Sequence, residues 1–107
     1  MNPIIIYTSI DSKMNANKLA RKLVENNLAA CINIIPIEES IYNWDCKVQS
    51  ESEFQLIIKT DLSYKSSIEK FIKLNHSYEL PEIIVIKVAD GSKEYFEWMN
   101  NNLNSST

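Results

Sequence analysis

SIYNWDCKVQSESEFQLIIKT, residues 40–60, decides the fold. Ser40 to Trp44 is rich in strand-forming residues, Asp45-Cys46 stands where a tight turn is expected, and Lys47 to Thr60 reads as one long strand. Its start is polar and its end apolar. Phe54, Leu56 and Ile58 share one face, with Glu53, Gln55, Ile57 and Lys59 on the other. Strands commonly run about 5–6 residues. A hairpin that outruns its own domain leaves backbone groups to satisfy, which predicts a partner chain.

Working outward, Leu28 to Ile35 reads as the preceding strand, and Pro36 demands an edge or a bulge because proline cannot donate to a ladder. Upstream, Ala16, Leu19, Ala20, Leu23 and Val24 recur at the spacing of one helical face. Asp11 or Ser12 caps that helix, and Asn26-Asn27 suits its left-handed end. Pro3 to Ser9 is a buried strand. Downstream, Asp61 caps a second helix whose inner face is Tyr64, Ile68, Phe71, Ile72 and Asn75. His76 to Glu82 is a loop, Ile83 to Val88 a fourth strand and Ala89-Asp90-Gly91 a turn. Ser92 caps a last helix carrying Tyr95, Phe96, Trp98, Met99 and Leu103, and Asn104 to Thr107 is expected to fray. The order βαββαβ plus a helix is that of a ferredoxin-like α+β sandwich, one domain over residues 1–107.

Composition narrows the function. The 107 residues are 45% hydrophobic and 23% charged, with 11 Lys+Arg against 14 Asp+Glu and a net charge of −3. Arg21 is the single arginine, so no basic face for nucleic acid is expected. Gly91 is the single glycine, which excludes phosphate loops that need at least two. No apolar run reaches the roughly 18 residues of a membrane span. The amino terminus lacks a basic segment and a long apolar stretch, and the two cysteines have no C-x-x-C spacing. The expectation is a cytoplasmic protein with reduced thiols.

Few residues carry chemistry. Cys31, in a strand, is either a small buried hydrophobe or a soft metal ligand. Cys46, at the turn, is an exposed thiol. His76, the only histidine, stands at a helix end, as a cap or as a ligand for a metal or an anion. Glu79 and Glu82 bracket Leu80-Pro81 and read as solvated charges. No nucleophile has an obvious base beside it.

Five segments carry a resemblance: Leu28-Ala29-Ala30-Cys31-Ile32-Asn33, Ser40-Ile41-Tyr42-Asn43-Trp44, Glu53 through Lys59-Thr60, His76-Ser77-Tyr78-Glu79-Leu80-Pro81-Glu82-Ile83, and Tyr95-x-x-Trp98. In order and separation they resemble the CutA family of divalent-cation tolerance proteins. That resemblance implies an interlocked homotrimer with PII-like architecture and no enzymatic activity. It also implies binding of copper and other divalent cations, with no organic cofactor. The matching positions of the inter-subunit cleft are Cys31, Tyr42, Trp44, Lys59, His76, Tyr78 and Glu79. Cys31 and His76 are the expected metal ligands, and Cys46 adds a third donor. The runner-up expectation is a PII-like signalling or scaffold trimer binding a small anion near Lys59 and His76. Two positions depart from the family pattern. Cys46 stands where glycine is usual, an unfavourable swap of order 1 kcal/mol if the turn needs positive φ. Ser77 stands where proline is usual, which loosens the loop.

Overall fold

The computed structural model describes residues 1–104; the expected fraying beyond Asn104 lies outside the described residues. Chain order is β1 (Pro3–Ile10), α1 (Lys13–Glu25), β2 (Cys31–Trp44), β3 (Lys47–Asp61), α2 (Lys65–Asn75), β4 (Ile84–Lys87) and α3 (Lys93–Leu103), with a 3₁₀ turn at Leu62–Tyr64. The four strands form one antiparallel sheet in the order β2-β3-β1-β4. This is the expected βαββαβ sandwich with an extra helix at its end.

Local chemistry explains the element ends. Ser12 caps α1, its side chain accepting from the Asn15 amide at 3.1 Å. Asp11, the other expected cap, instead accepts from the side chains of Asn15 and Ser77. Asn27 takes φ 56°, a left-handed conformation that asparagine tolerates. Asp61 caps the 3₁₀ turn by accepting from the Ser63 amide, so α2 begins later than its cap suggests. Ser92 caps α3 through the Tyr95 amide.

Periodicity places the core. Ile4, Ile6 and Ile10 of β1 and Leu56 and Ile58 of β3 point to the helix side, against Leu19 and Leu23 of α1 and Ile68 and Ile72 of α2. A smaller cluster of Ala30, Met99 and Leu103 seats α3, and the Tyr64 hydroxyl donates to the Leu103 carbonyl at 3.2 Å. The opposite face of the sheet carries the alternate residues, among them Ile5, Tyr7, Ile35, Ile57, Ile84 and Ile86. Ile35, Ile84 and Ile86 are 43%, 50% and 40% exposed.

Several boundaries differ from expectation. Leu28–Ala30 is not strand; after Asn27 the Leu28 and Ala29 amides turn back to the Leu23 carbonyl, closing the helix end. The strand does not stop at Ile35. It runs on through Pro36, which the edge position of β2 allows, and absorbs an irregularity between Ile37 and Ser40. Val24 is 40% exposed and Asn75 is exposed, so neither belongs to its helix's inner face. Asn75 instead donates its side-chain N–H to the Phe71 carbonyl at the end of α2.

A groove between the long hairpin and the loop before β4

Residues 76–83 cross the end of the sheet and stand over the hairpin. His76 anchors this loop. Its Nδ1 accepts from the Tyr78 amide at 2.9 Å, so Nε2 carries the proton and donates to the Ser9 carbonyl at 2.6 Å. Ser77 donates to Asp11 at 3.0 Å. The Tyr78 hydroxyl donates to Glu53 Oε1 at 2.7 Å, tying the loop to β3.

Between loop and hairpin lies a groove of about 940 Å³. Tyr42 and Trp44 of β2 and Glu51 and Glu53 of β3 line it from the hairpin. Tyr78, Glu79 and Glu82 line it from the loop. Residues 49, 51 and 53 alternate onto the same side of β3 as Gln55 and Ile57, so the groove continues the uncovered sheet face. Glu53 is only 8% exposed, whereas Glu79 and Glu82 are exposed, as expected of loop charges.

The groove disfavours further negative charge. Burial, and then the hydrogen bond and charge of Glu53, push the Tyr78 phenol well above its ordinary range. Desolvation followed by Glu51 raises Tyr42. The Glu82 carboxyl is raised by desolvation and then by the charge of Glu53. Among the described residues, no lysine, arginine or histidine lines the groove.

Of the expected site residues, Tyr42, Trp44, Tyr78 and Glu79 meet here; Cys31, Cys46, Lys59 and His76 do not line the groove. Cys31 faces Lys59 across the ladder, and the Lys59 ammonium stands 5.8 Å from the centre of the Tyr95 ring. Register places Lys59 opposite Ile5, and Gln55 opposite Ser9, the partner of His76. Cys31 is thus about 13 Å along the strands from that anchor, and two strands away. Cys46 is exposed at the hairpin tip. Among the described residues, no group of three His, Cys, Asp or Glu side chains could hold a metal ion. An anion anchored jointly on Lys59 and His76 also finds them apart, with both His76 nitrogens engaged.

Glu51 and Glu53 were not singled out by the sequence. Glu53 carried one signal, a carboxylate alternating into the face of Ile57, but its partner Tyr78 is 25 positions away.

The family model described as CutA1 divalent ion tolerance protein matches residues 4–102. The chain belongs to this family. It is 42% identical over 98 residues to the chloroplastic CutA protein of Arabidopsis thaliana, covering 92% of this chain and 54% of that protein. The divalent-cation tolerance protein CutA of Yersinia pestis (strain Pestoides F) is 33% identical over 102 residues, 95% of this chain and 86% of its own. The chain thus spans little more than half the length of its plant relatives. Among solved structures, rice CutA1 superposes with a TM-score of 0.94 at 37% identity, covering 99% of this chain and 97% of that one. The periplasmic divalent cation tolerance protein CutA of Archaeoglobus fulgidus gives 0.92 at 33%, covering 95% and 99%. The family is one of divalent-cation tolerance.

These relatives overturn the expected cytoplasmic location. The plant proteins are chloroplastic and the archaeal one periplasmic. Lacking a basic, apolar leader within 107 residues is weak ground for a compartment. Among the described residues, no helix is long and apolar enough to cross a membrane.

Proposed function

We propose that this chain is a non-catalytic, homotrimeric protein that binds divalent cations, copper foremost, in support of cation tolerance. One observation carries the sign of the ligand: a groove lined, among the described residues, by four carboxylates and no cationic side chain. Such a surface concentrates cations and repels anions.

The donor chemistry suits copper only if protomers combine. Cys31 supplies a soft thiol, which selects copper or zinc over harder cations, and Cys46 a second, exposed one. His76 joins a donor set only by giving up its bond to Ser9 or to the Tyr78 amide. The groove set (Tyr42, Trp44, Tyr78, Glu79) and the Cys31–Lys59 set occupy different parts of one open sheet face. Sheets packed on one another by that face would let one protomer's groove meet the next protomer's thiol.

The test is copper titration of Cys46→Gly, which removes the exposed thiol and its adventitious binding. Affinity should persist in that variant and fall on adding Cys31→Ser. Loss of all copper binding in Cys46→Gly alone would reduce the site to a surface thiol. Substituting His76 serves less well, because it also unties the loop.

A further inference from the structure

Charge is segregated between the layers of the fold. Helices α1 and α2 hold seven of the 11 basic residues and only two of the 14 acidic ones, Glu25 and Glu69, a net charge of +5. The rest of the chain carries −8. The two helices cover the side of the sheet opposite the open face, so copies that meet through the open face leave the basic layer uncovered.

One end of this layer is apolar as well as basic. Asp11, before α1, accepts from Ser77, after α2, at 3.0 Å, so the start of α1 and the end of α2 lie together. Among the described residues, the two most exposed large hydrophobic side chains stand there, Leu74 at 82% and Met14 at 78%. Helical spacing puts Lys18 one turn after Met14 and Lys70 one turn before Leu74, while Lys13 and Lys73 directly precede the two apolar residues. All four lysines are exposed. Two carboxylates stand among them: Glu69, 3.6 Å from Lys73, and Asp11, which accepts from Asn15 and Ser77. Lys13, Lys18 and Lys70 have no ion pair among the described residues. Apolar side chains framed by lysines suit a lipid surface. The apolar ends enter the boundary between headgroups and acyl chains, and the long lysine stems keep the ammonium groups at the phosphates. Nucleic acid would want arginine forks or open aromatic rings. The one arginine, Arg21, donates to Asn17 at 2.7 Å, and Phe71, the one aromatic residue of the two helices, packs against the core.

We propose that the end of the helix layer marked by Met14 and Leu74 docks on an anionic lipid surface. The helices lie on the membrane and do not span it. Met14 and Leu74 enter the headgroup region, and Lys13, Lys18, Lys70 and Lys73 meet the lipid phosphates. Repulsion of the −8 carried by the rest of the chain turns this layer toward the lipid. The inference is independent of the cation-binding reading, which uses the other side of the sheet.

Flotation of the intact oligomer with phosphatidylcholine vesicles, with and without phosphatidylglycerol, tests it at low ionic strength. Binding is expected with phosphatidylglycerol, absent with phosphatidylcholine alone, and lost as sodium chloride is raised. Lys70→Gln should weaken it about fivefold and Leu74→Ser about tenfold, with Met14→Ser acting in the same direction. Lys93→Gln, exposed on α3, removes the same charge outside the layer and should leave binding unchanged. No flotation, or equal weakening in Lys93→Gln, would overturn the proposal. Polyglutamate bound as tightly as the vesicles would overturn it in favour of an acidic protein partner. A changed oligomer mass in Leu74→Ser would overturn it by assigning the patch to a contact between copies.

Discussion

Single residues show where sequence is transparent and where it is not. Cys46 was legible: a tight turn in a hairpin wants left-handed backbone, and Asp45 and Cys46 indeed take φ 51° and 63°. Cys46→Gly should therefore stabilise the chain by about 1 kcal/mol, read as a higher denaturation midpoint. A lower midpoint would show that the thiol has a structural partner. Thr8 was opaque, because its neighbours come from remote segments. It is fully buried, and its hydroxyl has no hydrogen-bond partner among the described residues. Replacing it with valine keeps the shape and removes the stranded hydroxyl, so Thr8→Val should stabilise by about 1 kcal/mol in chemical denaturation. Equal or lower stability would show that the hydroxyl is satisfied in solution. His76 was half legible. Its place at the end of α2 followed from the helix pattern, but its bond to Ser9 joins positions 67 apart in the chain.

At the scale of elements, periodicity located the helices and strands because each buries one face. It failed where that signal stops. Residues 36–39 looked like a break between two strands, yet β2 runs through them with one irregularity, and Pro36 takes the edge position that its missing N–H demands. The groove was out of reach because it joins a hairpin to a loop, and no local pattern pairs Glu53 with Tyr78. Desolvation of Glu82 in the loop, and then the charge of Glu53, make a pH prediction. Glu82 titrates higher in the folded chain than its ordinary value, so the fold favours its protonated form. Its stabilising contribution is complete below the ordinary pKa of 4.5 and is lost as pH rises through the raised value. Glu82→Gln should accordingly be more stable than the parent at pH 7 and converge with it near pH 4 or below. Thermal melts at the two pH values check this, and a parent that is more stable at pH 7 would refute it. Asp61 works in the opposite sense. Burial pushes it up, but hydrogen bonds from Ser63 and Asn2 outweigh this and hold it below 3.8, so its contribution disappears on acidification.

The whole molecule poses the question of what covers the second face of the sheet. The helices leave Ile35, Ile84 and Ile86 partly exposed beside Ile5, Tyr7 and Ile57, a contiguous apolar surface of a kind that marks interfaces. Among the described residues, the hairpin beyond Ser40 is paired only with itself, and Ile41 and Val48 are 66% and 75% exposed on it. A second and third copy packed through this face would cover it, and the hairpin, whose Ile41 and Val48 alternate to its opposite side, would reach over a neighbouring copy and close the assembly. The long Ser40–Thr60 hairpin predicted a partner chain from the sequence, whereas the apolar open face emerged only from the strand register. Light scattering should give three times the 12.4 kDa chain mass, with a melting temperature that rises with protein concentration. Ile86→Glu places a charge on the open face without touching the buried core, because Val85, not Ile86, packs on the helix side. It should shift the mass toward the monomer while preserving the helical and strand signal in circular dichroism. A parent protein that scatters as a monomer in dilute buffer, or an Ile86→Glu variant as trimeric and as stable as the parent, would show that this face is not where the copies meet.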